Sequence, residues 1–437
     1  MRTLTPLASF PTAFLALIAL VGHASGALPN DAPPGAAPTL APVTSSTIAA
    51  GGQSYAVYDC ADPASKPKAF RVVIPEGLRT VRGLLVNCNY GGGDSRGDWT
   101  FCHYYREFMH LHGFALVASA GDIPHAAAFQ AFRKCLDAVG AAAKHPEMAN
   151  APHVAVGFSA GGGFASTLMT LDPERTIAVA ILGARYNFDH IAKPAPASVL
   201  GIPSVLITGE QEQLNSPAVD GRYKVDEVFL PNRPLSGRLA WLERKGIGHG
   251  YDENRQDVLG MPLLDLAVRT RYPKDGDPTT GPVKLLPVDY DAGWIADHTT
   301  WRSGLTKIAP VAGFTGDLGR SSWLQSEDLA FIYRAYATYD HPLTITAPGP
   351  CGPGTPVVAA GSDVTVAVDA GKFANWRKLE FYDGARLLGA VTAAPTQIVA
   401  TKLTPGYHVL SVLGTDAAGL VRTSDPVMVV VAAPTGP

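Results

Sequence analysis

HVAVGFSAGGGFASTL, residues 153–168, is the stretch on which the reading of this chain turns. A β-rich run ending at Gly157 feeds directly into Gly157-Phe158-Ser159-Ala160-Gly161 and then into a helix-compatible segment. That order presents a serine on a sharp strand-to-helix turn. Gly157 and Gly161 let the backbone reverse around a strained residue, while Gly162 and Gly163 permit close approach of the helix. The Ser159 hydroxyl is therefore expected at a helix N-terminus, where backbone N–H groups favour developing negative charge.

On either side of this segment, short β-like runs alternate with helical ones. Strands are expected at Phe70 to Ile74, Gly83 to Cys88, Ala115 to Ala118, Ala178 to Leu182 and Val205 to Thr208, with helices near 100–112, 125–145, 161–171 and 254–270. The alternation predicts an α/β fold, a mostly parallel sheet covered by helices on both faces. Trp323, Leu324, Leu329, Ile332, Tyr333 and Tyr336 recur at helical spacing and predict a further helix over 322–338. APGPCGPGT at 347–355 then interrupts regular structure. Beyond it, alternating runs at 357–368, 379–381, 386–391, 396–400, 408–412 and 427–431 predict a small all-β sandwich.

A serine nucleophile needs a base, and the base needs a carboxylate to orient it. Lys245-Gly246-Ile247-Gly248-His249-Gly250 sets a histidine among glycines just before a helix, which makes His249 the candidate base. Its ring can approach the serine without crowding. The loop leaving the strand-like run Ile202 to Thr208 reads Gly209-Glu210-Gln211-Glu212. Glu212 is the preferred acid, with Glu210 and Asp220 as alternatives and Asp189 one strand too early. For the oxyanion hole the candidates are the N–H of Ala160 and one from Asn89-Tyr90-Gly91-Gly92-Gly93, with Tyr90 or Gly91 preferred and Gly92 next. Trp99, Phe101 and Tyr186 are candidates for lining a substrate cleft, with core packing as the competing assignment for each.

Other chemistry finds less support. A formal charge of -3, from 35 basic and 38 acidic residues, gives no field to concentrate a nucleic acid. No zinc-protease, EF-hand or P-loop pattern occurs, so neither a metal nor a nucleotide cofactor is expected. The five cysteines, Cys60, Cys88, Cys102, Cys135 and Cys351, are an odd number without metal or redox spacing, and a structural role is expected for them.

The N-terminus carries Arg2, an apolar run from Phe10 to Val21 and the small residues Ala24 to Ala27, the order of a secretory signal peptide. Its apolar part is too short to remain as a membrane span, and no later segment is longer. The expected organisation is a signal peptide at 1–26, a flexible leader at 27–49, a catalytic domain at 50–345 and a β-sandwich at 346–437. The expected location is secreted or periplasmic, with attachment at the cell surface an option.

Residues 50–270 resemble the α/β-hydrolase superfamily, particularly secreted esterases of its dienelactone-hydrolase-like and polyester-depolymerase-like branches. YGGG at 90–93, GFSAGG at 157–162, GEQE at 209–212 and GHG at 248–250 carry the resemblance. It implies a serine esterase with a triad of Ser159, Glu212 and His249, although Gly-x-x-Asp is the commoner form of the acid segment. Residues 350–432 resemble a bacterial immunoglobulin-like module, which implies a spacer or attachment role outside the cell. The implied partner is an acyl ester, with acylated polysaccharides and polyesters among the carriers it allows. A serine peptidase or amidase, and a non-catalytic binding or adhesion protein on a hydrolase scaffold, are the competing functions.

Overall fold

The computed structural model of the protein describes residues 43–61, 69–88, 93–121, 125–188, 191–211, 228–249, 257–349, 357–373 and 375–433. Among these, nine strands form the main sheet. They are β1 (Thr44–Ala50), β2 (Gln53–Ala61), β3 (Ala69–Pro75), β4 (Gly83–Cys88), β5 (Phe114–Ala120), β6 (His153–Phe158), β7 (Thr176–Leu182), β8 (Ser204–Gly209) and β9 (Leu239–Arg244). Their spatial order is β1-β2-β3-β5-β4-β6-β7-β8-β9. Pairs along β1-β2-β3-β5 are antiparallel, and every pair from β5 onward to β9 is parallel.

Composition explains the placement. β7, reading TIAVAIL, and β8, reading SVLITG, are buried along their whole length, as a strand covered on both faces must be. Helices α1 (His103–His112) and α4 (Asp257–Arg271) cover one face, with Phe108, Leu264 and Ala267 in a core shared with Leu116, Val156 and Ala180. Helices α2 (His125–Ala143) and α3 (Ala160–Leu171) cover the other, where Phe132, Leu136, Phe164 and Leu168 meet Val86, Ala155 and Ile181. This is the expected α/β-hydrolase architecture, with antiparallel strands leading into a parallel sheet.

All but the last residue of the first strand lies inside the stretch expected to be leader. Thr44–Ala50 pairs with β2 from Thr44 opposite Asp59 to Ala50 opposite Gln53. Its Ser- and Thr-rich start resembles a linker because it is an exposed edge, with nothing to bury at Thr44 to Thr47.

The opposite edge is covered by residues for which the sequence suggested no definite role. β10 (Trp294–Asp297), β11 (Ile308–Pro310) and β12 (Ser321–Leu324) form a small antiparallel sheet, followed by α5 (Glu327–Ala337). The N–H of Trp241 in β9 donates to Ser322 Oγ, and the Ser322 hydroxyl donates back to the Trp241 carbonyl, both at 2.8 Å. One side chain thus takes both hydrogen bonds that a tenth strand would offer Trp241. His298 stacks on Trp301 at 4.7 Å and on Phe229 at 5.5 Å, and fixes the small sheet over Trp241.

The C-terminal strands are β13 (Thr344–Ala347), β14 (Val364–Asp369), β15 (Trp376–Asp383), β16 (Arg386–Val391), β17 (Gln397–Ala400), β18 (Gly406–Asp416), β19 (Val421–Thr423) and β20 (Val427–Val431). One sheet runs β13-β14-β17; the other runs β16-β15-β18-β19, with β20 also paired to β18. β13 begins two residues before the expected boundary at 346. Side chains alternate across β18 and β20. Leu410, Val412, Val427, Val429 and Val431 point into the sandwich's own core, whereas Val409, Met428 and Val430 join the α1/α4 core of the large sheet. The unbroken apolar run VMVVV reflects burial on both faces.

Polar ties reinforce this junction. Arg244 at the end of β9 pairs with Asp425 at 3.1 Å, Tyr407 donates to the Tyr104 carbonyl at 2.6 Å, and the Ala433 N–H donates to Glu107 at 3.0 Å. The sandwich, for which a spacer or attachment role is implied, is packed directly onto the α/β half. Among the described residues, no helix is long and apolar enough to cross a membrane.

Two outcomes follow from this packing. Met428→Ala should cost about 2–5 kcal/mol, and in urea denaturation the α/β and sandwich signals should shift together as one transition. The second concerns acid. Burial lowers the pKa of His153 from 6.5 to about 4 and that of His298 from 6.5 to about 3. The unfolded chain then binds more protons than the folded one between those values and 6.5, so stability is retained above pH 6.5 and lost as pH falls toward 3. His298→Phe should flatten that acid slope when melting temperature is followed against pH.

Candidate active site

β6 ends at Phe158, and Ser159 stands between it and the first turn of α3 with φ 54° and ψ -119°. A non-glycine residue with positive φ is strained by about 1–3 kcal/mol, and neighbouring contacts must hold it there. The Ser159 N–H donates to the Leu182 carbonyl at the end of β7 (2.8 Å), while its own carbonyl accepts from Gly163 N–H (3.1 Å). Gly157 permits the reversal by being bare: a Cβ there would stand 2.2 Å from the Gly161 carbonyl oxygen. The outcome is a half-buried hydroxyl at the N-terminus of a twelve-residue helix. Ala160 is the first residue of that helix, and its N–H is among those with no partner inside the helix.

The histidine comes from the loop after β9. His249 Nε2 lies 3.0 Å from Ser159 Oγ, the separation at which a serine hydroxyl donates to an unprotonated ring nitrogen. Residues 90 positions apart are therefore brought into one pair. Parallel strands make this possible, since β6 and β9 both deliver their loops at the same end of the sheet.

Phe158 adds a contact that motif reading overlooked. Its ring stacks on His249 with centroids 5.1 Å apart and planes 28° from parallel. The ring limits imidazole rotation and sets a π-face against the positive charge that protonation would create. The available signal was a large aromatic at the variable position immediately before the serine.

Two proposed cleft residues belong to the core. Trp99 is fully buried, donates through Nε1 to the Arg96 carbonyl at 3.1 Å and meets Tyr55 edge-on at 5.0 Å. A short helical turn at Asp98–Thr100 swings its ring inward. Tyr186 is 1% exposed, with its hydroxyl 3.1 Å from both Ser204 Oγ and the Ala240 carbonyl. Both are corrected from substrate contacts to packing residues. Phe101, 42% exposed, remains on the surface.

Glu210, an alternative acid, accepts a hydrogen bond from Gly246 N–H at 2.9 Å. Glu212, Asp220, Asp189, Tyr90, Gly91, Gly92 and Cys351 lie outside the described residues. Cys88, at the end of β4, is buried, and burial pushes its thiol up to about 12. Among the described residues, no group of His, Cys, Asp and Glu is placed to hold a metal ion.

Strand order defines an α/β-hydrolase fold, with Ser159 on a strained strand-to-helix turn and His249 paired to it. No protein-family model matches the chain, and no curated protein does. Similar solved structures include a ferulic acid esterase, 12% identical with a TM-score of 0.34, covering 52% of this chain and 97% of that one. The S-formylglutathione hydrolase of Agrobacterium tumefaciens is 13% identical with a TM-score of 0.31, covering 48% of this chain and 93% of that one. Fibronectin(III)-like modules of Clostridium thermocellum CbhA are 24% identical with a TM-score of 0.18, covering 21% of this chain and 94% of theirs. The fold assignment rests on this chain's own strand order.

Replacing the stacked ring tests its contribution to the site. Phe158→Leu should slow covalent labelling of Ser159 by a fluorophosphonate severalfold, equivalent to about 1 kcal/mol, without a comparable fall in melting temperature.

Proposed function

We propose that this chain is an exported serine hydrolase that cleaves carboxylic esters through an acyl-enzyme. The observation carrying the proposal is the 3.0 Å contact between His249 Nε2 and Ser159 Oγ at a backbone-strained turn. In this reading Ser159 Oγ attacks the acyl carbon as His249 takes its proton. The Ala160 N–H and one from Tyr90 or Gly91 receive the oxyanion, and Glu212 orients the imidazole through Nδ1. Collapse of the tetrahedral intermediate returns the proton to the leaving alcohol. Water, deprotonated by His249, then releases the acid.

The signal-like N-terminus supports export, and the exposed position of His249 suits an acyl group carried on a large substrate such as an acylated polysaccharide or polyester. Neither a cofactor nor a metal enters any step.

The test uses the full chain and Ser159→Ala on short acyl esters, acetylated glycans, polyesters and matched amides. The substitution should lower kcat for esters by about 10⁴-fold or more while the melting temperature is retained. Full ester turnover by S159A would refute the mechanism, and amide turnover matching ester turnover would reassign the substrate class.

A further inference from the structure

The loop that presents His249 is held by the segment leaving the neighbouring strand. β8 ends at Gly209, and the next two residues are Glu210 and Gln211; β9 ends at Arg244, and the turn Lys245 to Gly248 leads to His249. Three consecutive positions of the first segment meet three consecutive positions of the second. The Gly246 N–H donates to Glu210 Oε2 at 2.9 Å, and the Gln211 N–H donates to the Ile247 carbonyl at 2.9 Å. At Gly209 the backbones are so close that a Cβ would stand 2.4 Å from the Ile247 carbonyl oxygen and 2.7 Å from that of Gly248. One donor and one acceptor of the histidine turn are therefore bound from outside the turn, immediately before the residue whose ring reaches Ser159.

We propose that Glu210 is a positioning residue: its carboxylate anchors the Gly246 N–H and so fixes the direction in which His249 leaves its turn. This rests on the serine-hydrolase reading and separates Glu210 from the acid of the triad. A triad acid acts through its charge on the histidine ring. An anchor acts through an acceptor oxygen at the correct reach, whether charged or neutral. Glutamine preserves the reach and loses the charge, whereas aspartate preserves the charge and loses one methylene of reach. The two substitutions consequently give opposite orders under the two roles.

The experiment compares Glu210→Gln, Glu210→Asp and Glu210→Ala in the full chain, measuring kcat, KM, the pH–rate midpoint and the rate of fluorophosphonate labelling, with melting temperature as the folding check. The anchor role requires E210Q to stay near the unsubstituted rate with its pH midpoint unmoved. E210D and E210A should lose about 10- to 100-fold in kcat, the scale of an ångström-level misplacement, with little change in KM and a parallel loss in labelling. If E210D outperforms E210Q, or E210Q falls by about 10⁴-fold, the charge is what matters and the proposal is overturned. It is equally overturned if none of the three changes kcat. Should E210A not fold, the order of E210Q and E210D decides. Failure of the wider reading would register separately, as an unsubstituted chain whose Ser159 takes no label.

Discussion

The strained backbone of Ser159 exists because β6 has no freedom to relax it. β4 pairs with β6 from His153 to Gly157 and β7 pairs with it as far as Phe158, and the hydrogen bond from Ser159 to Leu182 extends the β7 pairing one residue beyond the strand. α3 begins at the next residue, so the sheet and the helix leave the serine a single conformational gap. Moving it to an unstrained conformation would break pairing at the strand end or bring Gly157 and Gly161 out of their close packing. The cost at one residue is offset by an extended set of contacts around it.

The same sheet sets where the histidine arrives. Parallel pairing of β8 with β9 leaves Gly209 opposite Arg244 at the strand ends, and the two exit loops travel side by side. The histidine turn can therefore lean on the adjacent loop instead of standing alone in solvent. Phe158 supplies a second wall, from the strand that carries the serine. Side chains far apart in sequence acquire their geometry from backbone neighbours, and the intervening segments need only be long enough to return the chain to the same edge.

Much of this was legible in the chain because local chemistry and global position agreed. The strands β4, β6, β7 and β8 are buried throughout and centre on apolar runs, from Leu84–Val86 to Val205–Ile207, and the turn after β6 carries glycine where a side chain would collide. Ser159 and His249, the pair expected from that pattern, lie 3.0 Å apart. Trp99 and Tyr186 were misread because loop position alone does not reveal whether a ring turns inward, and both find backbone carbonyl acceptors inside the core. β1 looked like linker because an exposed edge carries no apolar signature, and β9, reading LAWLER, mixes buried and polar residues at the covered edge. Ser322 was invisible as a cover for that edge, since a single serine has no sequence pattern. Glu212, Tyr90 and Gly91 fall outside the described residues.

The doubly buried strands β18 and β20 bear on how such a chain can change over generations. A tethered appendage can be exchanged by recombination, because its surface owes nothing to the enzyme beside it. Here Val409, Met428 and Val430 stand on strands of the sandwich but are interior residues of the α/β half. A replacement module would have to bring complementary shapes at those positions or arrive with compensating changes in α1 and α4. The two halves are bound to a common inheritance, and substitutions on either side of the junction should be found to covary.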